Sequence, residues 1–190
     1  MTIKVGDKIP QGAFTVMGEK GPEAMTTAAL FNGKKVVLFA VPGAFTPACS
    51  EAHLPGFVVH VDEIKARGVD TVACMSVNDV FVMNAWGKAS NAEHLQMLAD
   101  GNGDFTAALG LELDGNAWGL GVRSQRFAMI VDDVPNPAEA PSGDDEVALL
   151  EHPVLNQHPG DRASTLFDLG FDHGSFGVAV EVTLQLEQLS

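Results

Sequence analysis

The sequence predicts an α/β protein with one central β-sheet and helices packed against it. Two segments of strand length, Val36–Val41 and Phe127–Val131, are apolar at every position. Runs of this kind suit strands that are buried on both faces of a sheet. Segments with helical spacing of apolar residues alternate with such runs, which is typical of α/β packing in a single sheet. The length of 190 residues is enough for one sizeable domain.

The first strong strand leads directly into the first strong helix. The turn-like segment Asn32–Lys35 precedes Val36–Val41, and Pro42-Gly43 ends that strand. Thr46 is a good N-cap residue, and Pro47 fits the first helical position, where its missing N–H costs nothing. A helix is therefore expected to begin at the carboxyl end of the first strong strand.

The later elements follow from the same signals. We expect the first helix to be interrupted at Pro55-Gly56, to resume at Phe57 and to end at Gly68, which supplies a C-terminal cap. The remaining expected elements are a strand over Val69–Val77, a helix from Asn78 to about Lys88, a strand over His94–Ala99 and the strand Phe127–Val131.

Charge divides the chain into two unequal parts. The chain has 11 basic and 25 acidic residues, a formal net charge of −14. Residues 1–132 carry a net charge of −4, and residues 133–190 carry −10 with Arg162 as their one basic residue. We therefore predict a folded domain over residues 1–133 and an atypical acidic, proline-rich tail over 134–190. The overall acidity argues against partners such as nucleic acid or anionic membranes.

Two further predictions concern the secondary structure of the tail and the location of the protein. The segment Val178–Leu186 alternates apolar and polar residues, which favours a half-buried strand. A helix that begins near Thr183 is the alternative. No apolar run approaches the roughly 20 residues that span a bilayer, and the N-terminus lacks a signal-peptide pattern. We therefore expect a cytoplasmic protein without a membrane partner.

The two cysteines have different sequence environments. Cys49 falls in the first turn of the predicted helix, where unpaired backbone N–H groups and the helix dipole stabilise a thiolate. Arg123 and Arg126 are the only basic residues between Lys88 and Arg162. One of them is the natural cationic partner for that thiolate. Cysteines are too few for a disulfide scaffold, so a reactive thiol is the expected use of Cys49.

At these residues the sequence resembles the type II (fifth-type) peroxiredoxins. The resemblance rests first on Pro42-x-x-x-Thr46-x-x-Cys49 and covers roughly residues 1–133. Further matching segments are His53–Phe57, Ser76–Asp79, Phe81–Trp86, Leu98–Gly101, Ala108–Leu111 and Gly121–Phe127. It implies a thioredoxin-like fold, with a central mixed β-sheet flanked by helices, to which the acidic tail is an atypical C-terminal extension.

The resemblance also implies a thiol-dependent peroxidase. The Cys49 thiolate would attack a hydroperoxide and become a sulfenic acid, with hydrogen peroxide and alkyl hydroperoxides as substrates. Thr46 would place a hydroxyl near the sulfur, where it can hydrogen-bond the thiolate and the peroxide. Pro42 would limit the access of water. Arg126 matches the family's arginine, which stabilises the developing charge, and Arg123 is the second choice. No cofactor and no metal is expected.

The resemblance names partners without choosing among them. Glutaredoxin with glutathione, or thioredoxin, would re-reduce Cys49, and a homodimer with Phe45 and the loops around the active site near the interface is expected. Cys74 lies in a strand-like apolar stretch and is interpreted first as a buried bystander. A resolving or regulatory thiol is the alternative for Cys74.

Two other functions stay open at this point, and so does a noncatalytic role for His53. A redox sensor or interaction protein would use oxidation of Cys49 as a signal and turn over poorly. A Cys/His hydrolase would use His53, one turn after Cys49, as the base. The orienting group and the local signature of such a hydrolase are missing, so His53 is predicted to be a helix-surface or interface residue.

Overall fold

The computed structural model describes residues 1–47, 49, 53–133, 146–148 and 181–182. Its central sheet has the strand order β10-β8-β3-β4-β5-β1-β2, and β9 also pairs with β8. The strands are β1 (Ala13–Gly18), β2 (Gly21–Thr26), β3 (Lys35–Ala40), β4 (Thr71–Ser76), β5 (Gln96–Ala99), β6 (Glu112–Asp114), β7 (Val122–Ser124), β8 (Phe127–Asp132), β9 (Glu146–Ala148) and β10 (Glu181–Val182). The helices are α1 (Thr27–Phe31), α2 (Leu54–Ala66), α3 (Val80–Ala89) and α4 (Asp104–Leu109).

The sheet is mixed, as the resemblance implies. Strands β3, β4 and β5 run parallel to one another, and β8 and β1 pair antiparallel on either side of them. The crossovers between the parallel strands contain α2 and α3. The hairpin of β1 and β2 forms one end of this sheet, and β6 and β7 pair separately. The expected thioredoxin-like α/β class is therefore confirmed.

Two apolar cores lie on opposite sides of the sheet. In β3, Val36, Leu38 and Ala40 belong to one core, and Val37 and Phe39 belong to the other. The first core includes buried residues of α1 and α4, and the second includes buried residues of α2 and α3. This explains why β3 is apolar along almost its whole length, because both of its faces are covered.

The predicted interruption of the first helix at Pro55-Gly56 is wrong. Both residues lie inside α2, which begins at Leu54 and has Pro55 in its first turn. Proline is tolerated there because the first N–H groups of a helix have no intrahelical acceptor. The departure from α-helical geometry falls earlier, at Cys49 and His53, whose backbones are π-helical. The predicted end of the helix is confirmed, since Gly68 follows it with a φ of 87°.

The described part of the tail adds to the edge of the sheet. Strand β9 pairs antiparallel with residues 130–132 of β8, and β10 pairs antiparallel with residues 127–128. Glu181–Val182 falls within the predicted strand Val178–Leu186, and the other residues of that prediction lie outside the described residues. The alternative helix from Thr183 lies outside them as well. Within the described segments, no helix is long and apolar enough to cross a membrane.

Asp100 joins strand β5 to helix α4, and its loss is expected to destabilise the fold. Its carboxylate is 3% exposed and accepts hydrogen bonds from Phe105 N, Thr106 N and Thr106 Oγ1. Asp100→Ala leaves these buried donors without an acceptor, so we expect a loss of about 2–3 kcal/mol of unfolding free energy in urea titrations. Asp79→Ala is the control, because Asp79 caps α3 from an exposed position and its loss should cost about 1 kcal/mol. Equal effects of the two substitutions would contradict this account.

Candidate active site

The candidate site lies at the carboxyl ends of the parallel strands β3 and β4. Pro42–Thr46 follows β3, and Val77–Asp79 follows β4. Carboxyl ends of neighbouring parallel strands meet at one edge of a sheet, and binding sites in open α/β sheets commonly form there. The residues of the predicted Pro-Thr-Cys motif therefore lie at a position that the fold itself makes suitable for a site.

Cys49 is buried at the beginning of the helical segment. It is 1% exposed and belongs to the core between the sheet and helices α2 and α3. Its Sγ accepts a hydrogen bond from Nη2 of Arg126, with 3.3 Å between the two atoms. A guanidinium this close can donate to the sulfur and offset negative charge that develops there. The structure therefore brings together the predicted nucleophile and its predicted cation.

The sheet explains how Arg126 reaches a cysteine 77 positions earlier in the chain. Arg126 immediately precedes β8, and β8 pairs antiparallel with β3 so that Phe127 stands opposite Ala40. Arg126 is therefore level with the end of β3, from which the chain continues into the motif. Because the guanidinium is placed by strand pairing, its position does not depend on a flexible loop alone.

His53, which is predicted to be a helix-surface or interface residue, lies beside Arg126. It is half-buried, and its Nδ1 is hydrogen-bonded to Nη1 of Arg126. A guanidinium can only donate, so Nδ1 must accept and the imidazole is assigned as neutral with its proton on Nε2. Cys49 and His53 thus contact two nitrogens of the same guanidinium. The sequence signal for this role was their spacing of four residues, which places two side chains on one helix face.

Thr46 and Pro42 shape the turn that follows β3. Thr46 Oγ1 donates to the carbonyl oxygen of Gly43 at 2.8 Å, and Thr46 N donates to the same oxygen at 3.4 Å. With its proton directed at Gly43, this hydroxyl is arranged to accept a hydrogen bond from a ligand. Donation to the thiolate, which the sequence analysis also expects, would require rotation of the hydroxyl. Pro42 is half-buried and has no N–H that could compete at the site.

The same turn holds Phe45 in an unfavourable backbone conformation. Phe45 has a φ of 60°, in the left-handed region that a type II turn requires at its third position. Glycine usually occupies this position, and a bulky residue there costs about 1–3 kcal/mol. The side chain of Phe45 is 55% exposed, so burial of this ring does not account for the conformation.

Arg123, the second choice for the thiolate's partner, contacts backbone instead. Its Nε donates to Leu120 O at 2.8 Å and its Nη1 donates to Val77 O at 3.0 Å. These bonds join the segment before β7 to the segment after β4. Arg123 therefore organises two loops of the site, and Arg126 is the arginine that reaches the sulfur.

Cys74 is fully buried in β4, as the bystander interpretation requires. It stands opposite Phe39 in the parallel pair of β3 and β4 and belongs to the same core as Cys49. Burial, and to a lesser extent the charge of Cys49, raise the pKa of the Cys74 thiol well above its ordinary value. A neutral buried thiol is a poor nucleophile. Within the described residues, no cluster of three His, Cys, Asp or Glu side chains could hold a metal ion.

Comparisons with known proteins show which proteins this chain is similar to. The sequence model of the Redoxin family matches residues 4–134. Peroxiredoxin-2B of Arabidopsis thaliana is 50% identical over 134 residues, which are 70% of this chain and 83% of that protein. The reduced Prx3 of Vibrio vulnificus in complex with H₂O₂ is 47% identical, with a TM-score of 0.72, over 87% of this chain and 97% of Prx3. Peroxiredoxin sll1621 of Synechocystis is 50% identical over 58% of this chain and 59% of its own length.

Proposed function

Since the chain belongs to the Redoxin family and is a type II peroxiredoxin, we propose that Cys49 is the peroxidatic residue of this thiol-dependent peroxidase. The observation that carries the assignment is the 3.3 Å contact between Arg126 Nη2 and Cys49 Sγ. Cys74 is the other cysteine, and its buried, neutral thiol lacks such a contact among those that the described residues show. The reactive sulfur is therefore assigned by its electrostatic environment.

The proposed chemical step transfers a hydroxyl group to sulfur. The Cys49 thiolate attacks the terminal oxygen of the hydroperoxide, an S–O bond forms, and the O–O bond breaks. The products are a Cys49 sulfenic acid and an alkoxide or hydroxide, which takes up a proton to leave as alcohol or water. Arg126 stabilises the thiolate before the attack and the negative charge that moves onto the leaving oxygen.

Three neighbours of Cys49 have supporting roles in this proposal. Thr46 Oγ1, whose proton points at Gly43 O, accepts the O–H of the bound hydroperoxide. Pro42 limits the access of water to the sulfur. His53 accepts from Arg126 and so fixes the guanidinium, which makes it a positioning residue and not the base of a hydrolase. A Cys/His hydrolase would need this imidazole to take the proton of the thiol.

We propose that an external thiol re-reduces the sulfenic acid. A thiol condenses with the sulfenic acid to give a mixed disulfide and water, and a second thiol releases Cys49 by exchange. Glutaredoxin with glutathione, or thioredoxin, supplies these thiols. The burial and raised pKa of Cys74 disfavour it as the resolving nucleophile, because attack requires the thiolate.

The proposed function is tested by turnover with defined peroxides and reductants. Purified protein is mixed with NADPH and with hydrogen peroxide or tert-butyl hydroperoxide, in the presence of glutaredoxin, glutathione and glutathione reductase or of thioredoxin and its reductase. Many turnovers of NADPH oxidation with at least one pair support the peroxidase. Oxidation of one equivalent of Cys49 without further turnover would instead support the redox sensor. Absence of any reaction of Cys49 with either peroxide would refute both.

We propose a homodimer that forms through exposed apolar residues of the loops around the site. Phe45, Phe81, Trp118 and Val122 are 55%, 64%, 46% and 52% exposed, respectively. Arg123 joins the loops near these residues, because it bonds both to Val77 O and to Leu120 O. Exposed apolar side chains on such loops are typical of interaction surfaces. We assign these four side chains to the interface with a second copy of this chain.

We expect sedimentation to show a dimer for the native chain and a monomer for Phe81→Asp. Phe81 lies in the first turn of α3 with most of its ring in solvent, so the substitution should leave the melting temperature nearly unchanged. Val59→Asp is the control, because Val59 is 75% exposed on α2. Dimers of Phe81→Asp as stable as those of the native chain would rule out this surface.

We also propose limits for the catalytic domain and a cellular location. Residues 1–133 are proposed to form the catalytic domain, with 134–190 as an appended acidic tail. A cytoplasmic location is likewise proposed, and relatives such as Peroxiredoxin-2E of Arabidopsis thaliana are chloroplastic by name. Cell fractionation of the full chain tests the location directly.

A further inference from the structure

Asn78, in the segment after β4, is hydrogen-bonded to the turn Pro42–Thr46 that follows β3. Its Oδ1 accepts from Ala44 N at 2.9 Å and from Ser76 Oγ at 2.9 Å. Ala44 N–H can only donate, so the atom that faces it must be the amide oxygen, and this fixes the orientation of the Asn78 amide. The side chain of Asn78 therefore bonds directly to the backbone of the motif Pro42–Cys49.

The backbone of Asn78 is fixed by the residues before and after it. Ser76 is 0% exposed and ends the central strand β4, and Asp79 caps α3 by accepting from Phe81 N and Val82 N. Between them, the carbonyl oxygen of Val77 accepts from Arg123 Nη1 at 3.0 Å. The backbone of Asn78 is thus fixed between a strand end and a capped helix, so its side chain can impose a position on a neighbouring loop.

The loop that Asn78 contacts is strained and needs such an anchor. Phe45, the residue after Ala44, has a φ of 60° although it is not glycine. Strained residues persist only where the surrounding structure over-determines them, and they cluster at functional sites. Space around the turn is also small, since a Cβ added at Gly43 would lie 3.2 Å from Thr46 Cγ2 and 3.6 Å from Arg123 Nη1.

We propose that Asn78 is the positioning residue that holds the Pro42–Thr46 turn in the geometry that binds peroxide. This inference rests on the proposed function, because it assigns Thr46 to the hydroperoxide. Asn78 itself has no role in stabilising the thiolate, which is the work of Arg126. Loss of Asn78 therefore affects the reaction with peroxide much more than the reactivity of the Cys49 sulfur toward a reagent that does not need Thr46.

The test compares two reactions of the same sulfur in Asn78→Ala. We expect its second-order rate constant with hydrogen peroxide to fall by about 10- to 100-fold, since misplacement by an ångström can cost that much. Alkylation of Cys49 by iodoacetamide, which needs the thiolate but not the turn, should change by less than about threefold. Asn78→Asp is the matched control, because a carboxylate can accept from both Ala44 N and Ser76 Oγ. It should recover most of the peroxide rate.

The outcomes separate this proposal from the proposed function. If the native chain does not react with peroxide, the proposed function fails. If the native chain reacts and Asn78→Ala reacts equally fast, only the positioning role of Asn78 is overturned. Equal losses in peroxide reduction and in alkylation, or an Asn78→Asp variant as slow as Asn78→Ala, would also overturn it, because they would indicate general damage and not a lost acceptor. A melting temperature for each variant identifies such damage independently.

Discussion

Cys49→Ser is expected to abolish peroxide consumption, with a loss of about 10³-fold or more in kcat/KM. The reaction requires a nucleophile that is ionised near neutral pH and that can carry the transferred oxygen as a sulfenic acid. A serine hydroxyl beside Arg126 meets neither requirement. Peroxide consumption with a saturating thiol donor measures the effect, and a dimedone adduct on Cys49 of the native chain identifies the sulfenic acid. Substantial turnover by Cys49→Ser would refute the assignment of the nucleophile.

Cys74→Ala is the matched control for this experiment. It removes the other cysteine of the chain, which is fully buried and has a pKa raised by burial. We expect the first reaction with peroxide to be nearly unchanged, and turnover with an external thiol to continue. Loss of turnover with an intact first step would instead make Cys74 the resolving thiol, which requires β4 to open so that the sulfur becomes accessible.

Arg126 could be predicted because the strand after it is easy to recognise in the sequence and because the family resemblance favoured it over Arg123. The run Phe127–Val131 is apolar throughout, and both faces of β8 are largely covered in the sheet. A residue just before a central strand lies at the sheet edge where the motif after β3 also lies. Strand pairing therefore converts a sequence separation of 77 residues into a direct contact.

His53 and Asn78 could not be assigned in the same way. His53 lies four positions after Cys49, but the group it contacts is 73 residues away, so spacing alone does not distinguish a surface histidine from a partner of Arg126. Asn78 bonds to a backbone N–H, and a backbone donor leaves no mark on the sequence. The Asn78 contact becomes visible only when the parallel pairing of β3 and β4 is known, and the His53 contact only when the pairing of β3 with β8 is known.

The hairpin β1–β2 and the start of α2 were missed for local physical reasons. Strand β2 is exposed over most of its length at the sheet edge, so it lacks the apolar pattern that identifies a buried strand. Pro55-Gly56 is usually a helix-breaking pair, but the first turn of a helix tolerates proline. The place of β2 at the sheet edge and the place of Pro55 in the first turn of α2 thus determined the outcome more than the residue types did.

Arg126→Ala is expected to lower kcat/KM for hydrogen peroxide by about 10²- to 10³-fold, the usual effect of removing one preorganised donor from a developing charge. The substitution removes the stabilisation of the thiolate and that of the leaving oxygen together, because both are assigned to the guanidinium whose Nη2 lies 3.3 Å from Cys49 Sγ. Arg67→Ala is the control. It removes the same charge from the end of α2, where Arg67 pairs with Glu63 on the surface, and it should leave the rate nearly unchanged.

The pH dependence of alkylation separates the two functions of Arg126. If the guanidinium stabilises the thiolate, iodoacetamide should alkylate Cys49 more slowly in Arg126→Ala than in the native chain at mildly acidic pH, and the difference should vanish in alkaline solution. The loss of peroxide rate should persist at alkaline pH, because stabilisation of the leaving oxygen is still missing.

His53→Ala should slow both alkylation at mildly acidic pH and the reaction with peroxide, but by less, since Arg126 remains and only its orientation is lost. An unchanged alkylation profile in Arg126→Ala would restrict Arg126 to the leaving oxygen, and a peroxide rate restored at alkaline pH would restrict it to the thiolate.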